Sequence, residues 1–331
     1  MLITSWINRN MELKKQQVAS ILCTREDEIG DVCYSMHVFR LLKMQFPGSR
    51  ITFLCKQQAA DLVRHCPDVD EIVTKWDDVK SNFDLIVDLR PSLKSNLFAL
   101  RNRPNVRVDR GTVRFRNKLK GHHPHEVITN YKVVEPLLEF DGSSLKPSVY
   151  QGENDLEKAK KFIAANTLAS FAVIHAGARR ELRKWPLDRY AETATLLKKE
   201  YGLDIVFCGG IEDISDIAKL RELISFPVYS IAGDFSLSEY AAFVSQAKLF
   251  IGNESGPLHI ASVSGVPSLG IFGPGEPFVF YPEGRKTAWL HEVLECNPCD
   301  QIHCIHPENP CIRRISIAAV MEKVKILLAG F

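Results

Sequence analysis

The sequence has no apolar run near the ~18–20 residues needed to cross a bilayer. Residues 1–19 lack the apolar core and cleavage site of a signal peptide. They read instead as a frayed start, with Met11 as good a beginning as Met1. Excess charge is missing too: the formal net charge is +2 over 331 residues, which gives no global argument for nucleic acid. Neither G-x-G-x-x-G nor G-x-x-x-x-G-K-[ST] occurs, which speaks against a standard nicotinamide site and a P-loop nucleotidase. Nine cysteines without a secretory signal point to the reduced cytoplasm. The rest is ordinary for a globular protein, 45% hydrophobic and 25% charged, and the length suggests two domains.

Short apolar runs alternate with helical spacing. Residues 18–24 read as a buried parallel strand and 25–29 as a polar loop. A helix then opens at Gly30-Asp31 and runs to Phe46 on Val32, Met36, Phe39 and Leu42. Further strands fall at 50–54, 71–74, 83–87 and 106–108, with helices at 57–66, 91–101 and 125–140. Residues 147–154 are turn-rich and read as a linker. The alternation restarts with strands at 171–175, 203–208, 228–231, 249–251 and 267–272. Helices at 155–166, 187–201, 213–224, 236–246 and 317–328 accompany them. This predicts an α/β chain with two doubly wound parallel sheets, in domains 1–150 and 151–331. Ligands are expected at the strand C-termini and between the domains.

The chain is organised around residues 250–272, FIGNESGPLHIASVSGVPSLGIF. They read as strand, tight turn, helix, strand. Pro257 suits a first helical turn, and Ser255-Gly256 present free backbone N–H groups at a positive dipole end. Glu254 beside that turn suits ribose or sugar hydroxyls. The alternative is an ordinary turn capped by Ser255 or Glu254. Asp31 follows the first strand at a helix N-terminus, where a carboxylate can serve as general base. The helix dipole is expected to lower its pKa; simple electrostatic capping is the rival. His175 and His259 read either as structural histidines or as ligand contacts in one crevice. The Cys208-Gly209-Gly210 turn serves either close ligand approach or turn geometry alone.

Arg179, Arg180, Arg183 and Lys184 follow a strand C-terminus and suit a diphosphate, with Trp185-Pro186 as anchor; a solvated charge run is the rival. Between residues 101 and 120, Arg101, Arg103, Arg107, Arg110, Arg114, Arg116, Lys118 and Lys120 face one acid, Asp109. That local excess suggests an anionic partner: a phosphorylated acceptor, lipid headgroups or RNA. RNA lacks an aromatic platform here beyond Phe115. Cys296, Cys299, Cys304 and Cys311, with His303 and His306 interleaved, could form a structural zinc or iron–sulfur site; plain thiols or disulfides are the alternative.

Together these segments resemble the bacterial ADP-heptose:lipopolysaccharide heptosyltransferases, glycosyltransferase family nine, from about Ser20 to the terminal helix. The resemblance is carried by REDEIGDVCYSMHVFRLLKMQFPGSRITFLC, DLIVDLRPSLKSNL and VIHAGARRELRKWPLDRYAE. VFCGGIEDI, IGNESGPLHIASVSGVPSLGIFGPGEP and CNPCDQIHCIHPENPCIRRIS extend it. It implies a GT-B fold, two Rossmann-like domains facing across a cleft. It also implies inverting transfer of heptose from ADP-heptose to an anionic lipopolysaccharide inner-core acceptor, with no cofactor or metal required for catalysis. By motif, Asp31 is the base. Arg183, Lys184, Glu212, Glu254, Ser255, Gly256 and His259 serve the donor, and Lys94 and Ser95 the acceptor. Glu254 replaces the family's usual Asp, and Arg90-Pro91 its Gln-Gly. A cytoplasmic enzyme is expected, without a nucleic-acid partner, in peripheral contact with the inner membrane through the basic stretch. The alternatives are a GT-B transferase for another nucleotide sugar and a non-catalytic member that binds an anionic glycan.

Overall fold

The computed structural model describes Trp6, Ile7, residues 18–80 and residues 82–329. The choice between Met1 and Met11 as the start falls outside these residues. The chain divides into two compact units, Met1–Tyr150 and Gln151–Phe331.

Unit 1 is a six-stranded sheet in the order β1-β6-β5-β2-β3-β4. The strands are β1 (Trp6–Ile7), β2 (Ser20–Arg25), β3 (Arg50–Cys55), β4 (Glu71–Val73), β5 (Leu85–Asp88) and β6 (Val106–Asp109). All pairings are parallel except β1 on β6. SILCTR in β2 is buried almost throughout, as a central parallel strand covered on both faces should be. The helices are α1 (Ile29–Cys33), α2 (Met36–Gln45), α3 (Gln57–Val63), α4 (Leu93–Asn102), α5 (Arg110–Leu119) and α6 (Glu126–Val134). Ala99 of α4 packs on Leu22, Leu54 and Ile86 of the sheet.

Two features depart from the sequence pattern. The single helix expected from Gly30 to Phe46 is broken between α1 and α2. Ser35 Oγ donates back to the carbonyls of Asp31 (3.2 Å) and Val32 (2.8 Å), a local bond that competes with the helical ladder. The basic stretch contains a helix, α5, started by Asp109, whose carboxylate accepts from Thr112 N–H at 2.8 Å.

Unit 2 repeats the plan in the order β12-β11-β10-β7-β8-β9, all parallel. Its strands are β7 (Phe171–His175), β8 (Asp204–Phe207), β9 (Tyr229–Ser230), β10 (Leu249–Asn253), β11 (Ser268–Phe272) and β12 (Thr287–His291), the last not anticipated. Its helices are α7 (Glu153–Ala165), α8 (Leu187–Tyr201), α9 (Ile214–Leu223), α10 (Leu237–Val244), α11 (Gly256–Val263), α12 (Pro277–Phe280), α13 (Cys311–Arg314) and α14 (Ile317–Leu328). The core gathers Ile174, Trp185, Tyr190, Ile205, Ile251 and Ile271.

In each unit the first long strand is central, and the order reverses beside it. The switch points lie between β2 and β5 and between β7 and β10. Open α/β sheets bind ligands there, outside the strand C-termini. Asp31 follows β2, His175 ends β7, and Ser255 follows β10.

Candidate active site

At the unit 1 switch point the central group is Arg25, the last residue of β2, fully buried. Its Nη1 donates to Leu89 O and Asn130 Oδ1, both at 3.0 Å. Its Nη2 donates to Asp31 Oδ1 (2.8 Å) and Glu126 Oε1 (2.9 Å), and Nε lies 3.2 Å from Asp27 Oδ2. Arg110 reaches both Asp27 (3.2 Å) and Glu126, Arg114 reaches Glu126 (2.9 Å), and Arg90 reaches Asp27 (2.8 Å).

This lattice sets two carboxylates apart. Burial opposes the Glu126 charge, but Arg25, Arg110 and Arg114 outweigh it and hold Glu126 down to about 2. Asp31 goes the other way. Burial raises its pKa above the ordinary value, assisted by Asp27 and Glu126, and Arg25 compensates only in part. The expected dipole lowering is therefore corrected: α1 is five residues long, and loss of hydration outweighs its field. Arg25, Asp27 and Glu126 were not singled out from sequence.

The basic stretch is corrected as well. Arg107 is fully buried against Asp88 at 2.6 Å, and Arg110 belongs to the lattice. The outward cations of the region are Arg101, Arg103, Arg114, Arg116, Lys118 and Lys120. Lys94 is exposed on α4. Ser95 is buried and holds the capping box that starts α4: its Oγ accepts from Ser92 N (2.8 Å), and Ser92 Oγ accepts from Ser95 N (3.1 Å).

In unit 2 the hub is Asn253, buried at the end of β10 and also not singled out from sequence. Its Oδ1 accepts from Trp185 N (3.0 Å) and Tyr190 Oη (2.9 Å). Its Nδ2 donates to Ala176 O (2.7 Å) and Gly177 O (3.2 Å). The loop after β7 is thereby tied to the β10–α11 turn. Trp185 anchors the loop as expected, buried, with its indole N–H on Ile315 O at 3.0 Å.

Beyond this hub the turn opens α11, with Ser255 at its N-cap and Pro257 in the first turn. Ser255 makes no side-chain cap bond. Its Oγ lies 3.0 Å from His175 Nδ1 and 3.1 Å from Asn253 O. His175 Nε2 lies 3.4 Å from Asp213 Oδ2. Burial pushes the Asp213 pKa up, but His175, the Gly210 N–H and Lys184 outweigh it and hold it low. His259 is buried in α11.

Arg183 lies 3.4 Å from Glu254 Oε1 through Nη1, and its Nε donates to Gln301 at 2.7 Å. Glu254 is buried, and a Cβ at Gly275 would sit 1.8 Å from its Oε2, so glycine is what leaves room for the longer acid. Lys184 is pulled toward Glu181 (3.1 Å) and Asp216 (3.3 Å). Glu212 is exposed on the turn Ile211–Asp213, with its carboxylate over Gly210.

The metal reading of the cysteines is not met by their geometry. Among the described residues no group of three or more His, Cys, Asp or Glu is placed to hold an ion. Cys296, Cys299, Cys304 and Cys311 are free thiols, the last buried. Their loop instead buttresses the arginines: Asp300 O accepts from Arg180 at 2.8 Å, and Gln301 holds Arg183.

Comparison with known proteins agrees with this architecture. The profile of glycosyltransferase family 9 (heptosyltransferase) matches residues 75–309. The lipopolysaccharide core heptosyltransferase OpsX of Haemophilus influenzae is 19% identical over 289 residues, covering 81% of this chain and 82% of that protein. Lipopolysaccharide heptosyltransferase 3 of Escherichia coli is 22% identical over 297 residues, covering 80% and 84%. The crystal structure of a family 9 glycosyl transferase from Veillonella parvula superposes with a TM-score of 0.83 at 21% identity, covering 97% and 99%. Escherichia coli ADP-heptose lps heptosyltransferase II follows at 0.74 and 19%, covering 93% and 98%. The fold is that of these GT-B enzymes, and the chain belongs to glycosyltransferase family 9, the heptosyltransferases.

Proposed function

We propose that the chain transfers heptose from ADP-heptose to a lipopolysaccharide core acceptor, with inversion at the anomeric carbon. Unit 1 takes the acceptor and unit 2 the donor. The observation that carries this reading is a largely buried carboxylate, Asp31, at one switch point of a chain whose other switch point carries an anion-type helix N-terminus. The acceptor hydroxyl attacks the anomeric carbon as the bond to the diphosphate breaks, and its proton passes to Asp31. Arg25 occupies Asp31 Oδ1, which leaves Oδ2 for that proton. The leaving diphosphate gains charge, which the Ser255-Gly256 backbone N–H groups and Arg183 stabilise. Glu254 contacts the sugar, Glu212 the ribose, and Lys94 the acceptor; Ser95 supports Lys94 by starting α4.

Calorimetric titration with ADP, UDP, GDP and ADP-heptose tests the donor. ADP-heptose is expected to bind tightest, and Arg183→Ala and Glu254→Ala each to weaken it by about tenfold or more, near the worth of one charge-assisted hydrogen bond. Preference for UDP or GDP would move the chain to another sugar transfer. Binding of none would favour a glycan-binding member.

The acceptor reading places unit 1 against a membrane. Among the described residues no helix is long and apolar enough to cross one, so contact would be interfacial. Leu93, Leu97 and Leu100 share one face of α4 and are exposed, Leu93 by 77%, beside Lys94 and Arg101. On α5, Phe115 and Leu119 stand exposed among Arg116, Lys118 and Lys120. Apolar rungs flanked by cations suit an anionic lipid surface, each cation contributing ~1 kcal/mol. In flotation assays the protein should rise with phosphatidylglycerol vesicles and not with phosphatidylcholine. Serine at Leu93, Leu97 and Leu100, or neutral residues at Arg116, Lys118 and Lys120, should abolish it. Flotation indifferent to both sets would remove this surface from the reading.

A further inference from the structure

We propose that His175 and Asp213 are positioning residues that free the Ser255 hydroxyl to donate to the ligand diphosphate, and that binding therefore requires a proton on the imidazole. The proposal rests on unit 2 being the donor half. His175 is buried between two partners on opposite sides of its ring, Asp213 at Nε2 (3.4 Å) and Ser255 at Nδ1 (3.0 Å). A carboxylate only accepts, so Nε2 carries a hydrogen in either protonation state.

The state of Nδ1 decides what Ser255 can do. In neutral imidazole Nδ1 is bare and accepts the Ser255 O–H. The hydroxyl then offers a phosphate oxygen only lone pairs, at the mouth of a helix N-terminus whose other groups all donate. In the imidazolium Nδ1–H donates to Oγ. The hydroxyl hydrogen is released, to Asn253 O at 3.1 Å or, when a diphosphate binds, to a phosphate oxygen. A diphosphate is thus bound by the protonated form, which adds a positive charge behind the hydroxyl.

The geometry around Asp213 is built for this contact. Its carboxylate accepts from Gly210 N at 2.9 Å. A Cβ at Gly177 would lie 2.0 Å from Oδ1, and one at Gly209 would lie 2.3 Å from Oδ2. Glycines let the backbone close on the acid from two sides, with the ring of His175 against it at 3.4 Å. The charged groups on neighbouring elements are few. Lys184, in the loop after β7, acts on Asp213 but is itself held by Glu181 and by Asp216 of α9. Cys208, after β8, is a buried thiol with its pKa pushed up, hence neutral. Asp213 is the carboxylate against the ring, while Glu254, buried beside Ser255, faces Arg183.

The test is calorimetry of ADP-heptose binding between about pH 6 and 8 in two buffers of different ionisation enthalpy. This ligand is a diphosphate diester with no proton of its own to exchange near neutrality. Wild type should take up as much as one proton per ligand at the alkaline end, with affinity falling there by up to ~tenfold per pH unit. His175→Gln should bind with flat affinity and no uptake, and Ser255→Ala should bind more weakly, with smaller uptake than wild type. Asp213→Asn should move the fall in affinity to lower pH. Should His175→Gln fail to fold, the other two variants carry the same prediction. Wild-type binding without proton exchange, linkage that survives in His175→Gln, or undiminished linkage in Ser255→Ala overturns the proposal and leaves the donor reading standing. No binding of ADP-heptose or a UDP-sugar at any pH overturns both.

Discussion

Asp31→Asn should lose ~10²–10⁴-fold in turnover, the span of general-base catalysis, while donor affinity and fold stay close to wild type. The fold is expected to survive because the ionised Asp31 carboxylate is not what holds the cluster together. Burial has raised its pKa, so the native state favours its charge less than water does. An amide of the same shape still offers Arg25 Nη2 an oxygen at the 2.8 Å site, and Arg25 keeps Glu126 and Asp27. Chemistry suffers where structure does not, since an amide cannot take the acceptor's proton. If Asp31 is the base, as proposed, the same raised pKa should set the acid limb of kcat/KM. That limb should lie above the ~3.9 of an unperturbed Asp, because the carboxyl must be ionised to act. Steady-state kinetics against pH, with calorimetry of the donor, checks both parts. Near-normal turnover in Asp31→Asn would take Asp31 out of the mechanism. Loss of donor binding together with turnover would make its role structural.

What could be seen in the sequence was whatever one stretch of chain determines. The strands of both sheets announce themselves as apolar runs except β1 and β12 at the edges, and Asp31 and Ser255 can be placed because each directly follows a strand. What escaped depends on partners far along the chain. Arg25 looks like the start of a polar loop; only the fold brings Glu126, 101 positions later, against it. Arg107 and Arg110 count as surface charge until Asp88 and Glu126 are found facing them in the interior. Asp213 lies next to the more conspicuous Glu212, and burial separates them: one is exposed, the other is clasped by Gly177 and Gly209. The cysteine segment has a second role that its spacing hides. The thiols draw the eye, while the Asp300 carbonyl and Gln301 hold Arg180 and Arg183 through contacts that only the fold reveals. The R-x-D-x-x-G-D spacing of Arg25, Asp27 and Asp31 was the available signal for the lattice, with two of its acids within six residues of the arginine.

Arg25→Met should be the most destabilising single change in unit 1, by about 3–5 kcal/mol at neutral pH, because it orphans buried carboxylates rather than merely removing a bond. Arg25 is fully buried, and its guanidinium serves Asp31, Glu126, Asp27, Asn130 and the Leu89 carbonyl at once. The sign of the pH dependence follows from the two shifts. Glu126 is depressed from 4.5 to about 2 in the fold, so its contribution is complete above the unfolded value and is lost as pH falls through about 2. Without Arg25 that depression shrinks, and less stability remains to lose on acidification. Asp31 is raised already, and removing the cation that lowers it raises it further, so protonation then favours the folded form. Both shifts make the deficit of Arg25→Met largest at neutral pH and smaller toward pH ~4, where the orphaned acids are neutralised. Arg25→Lys should recover only part of the loss, since one ammonium with three donors cannot serve partners spread around a planar fork. Urea unfolding of the three proteins at both pH values measures this directly. A deficit in Arg25→Met that is independent of pH would mean that the lost packing of the side chain, and not its charge, is what the fold misses.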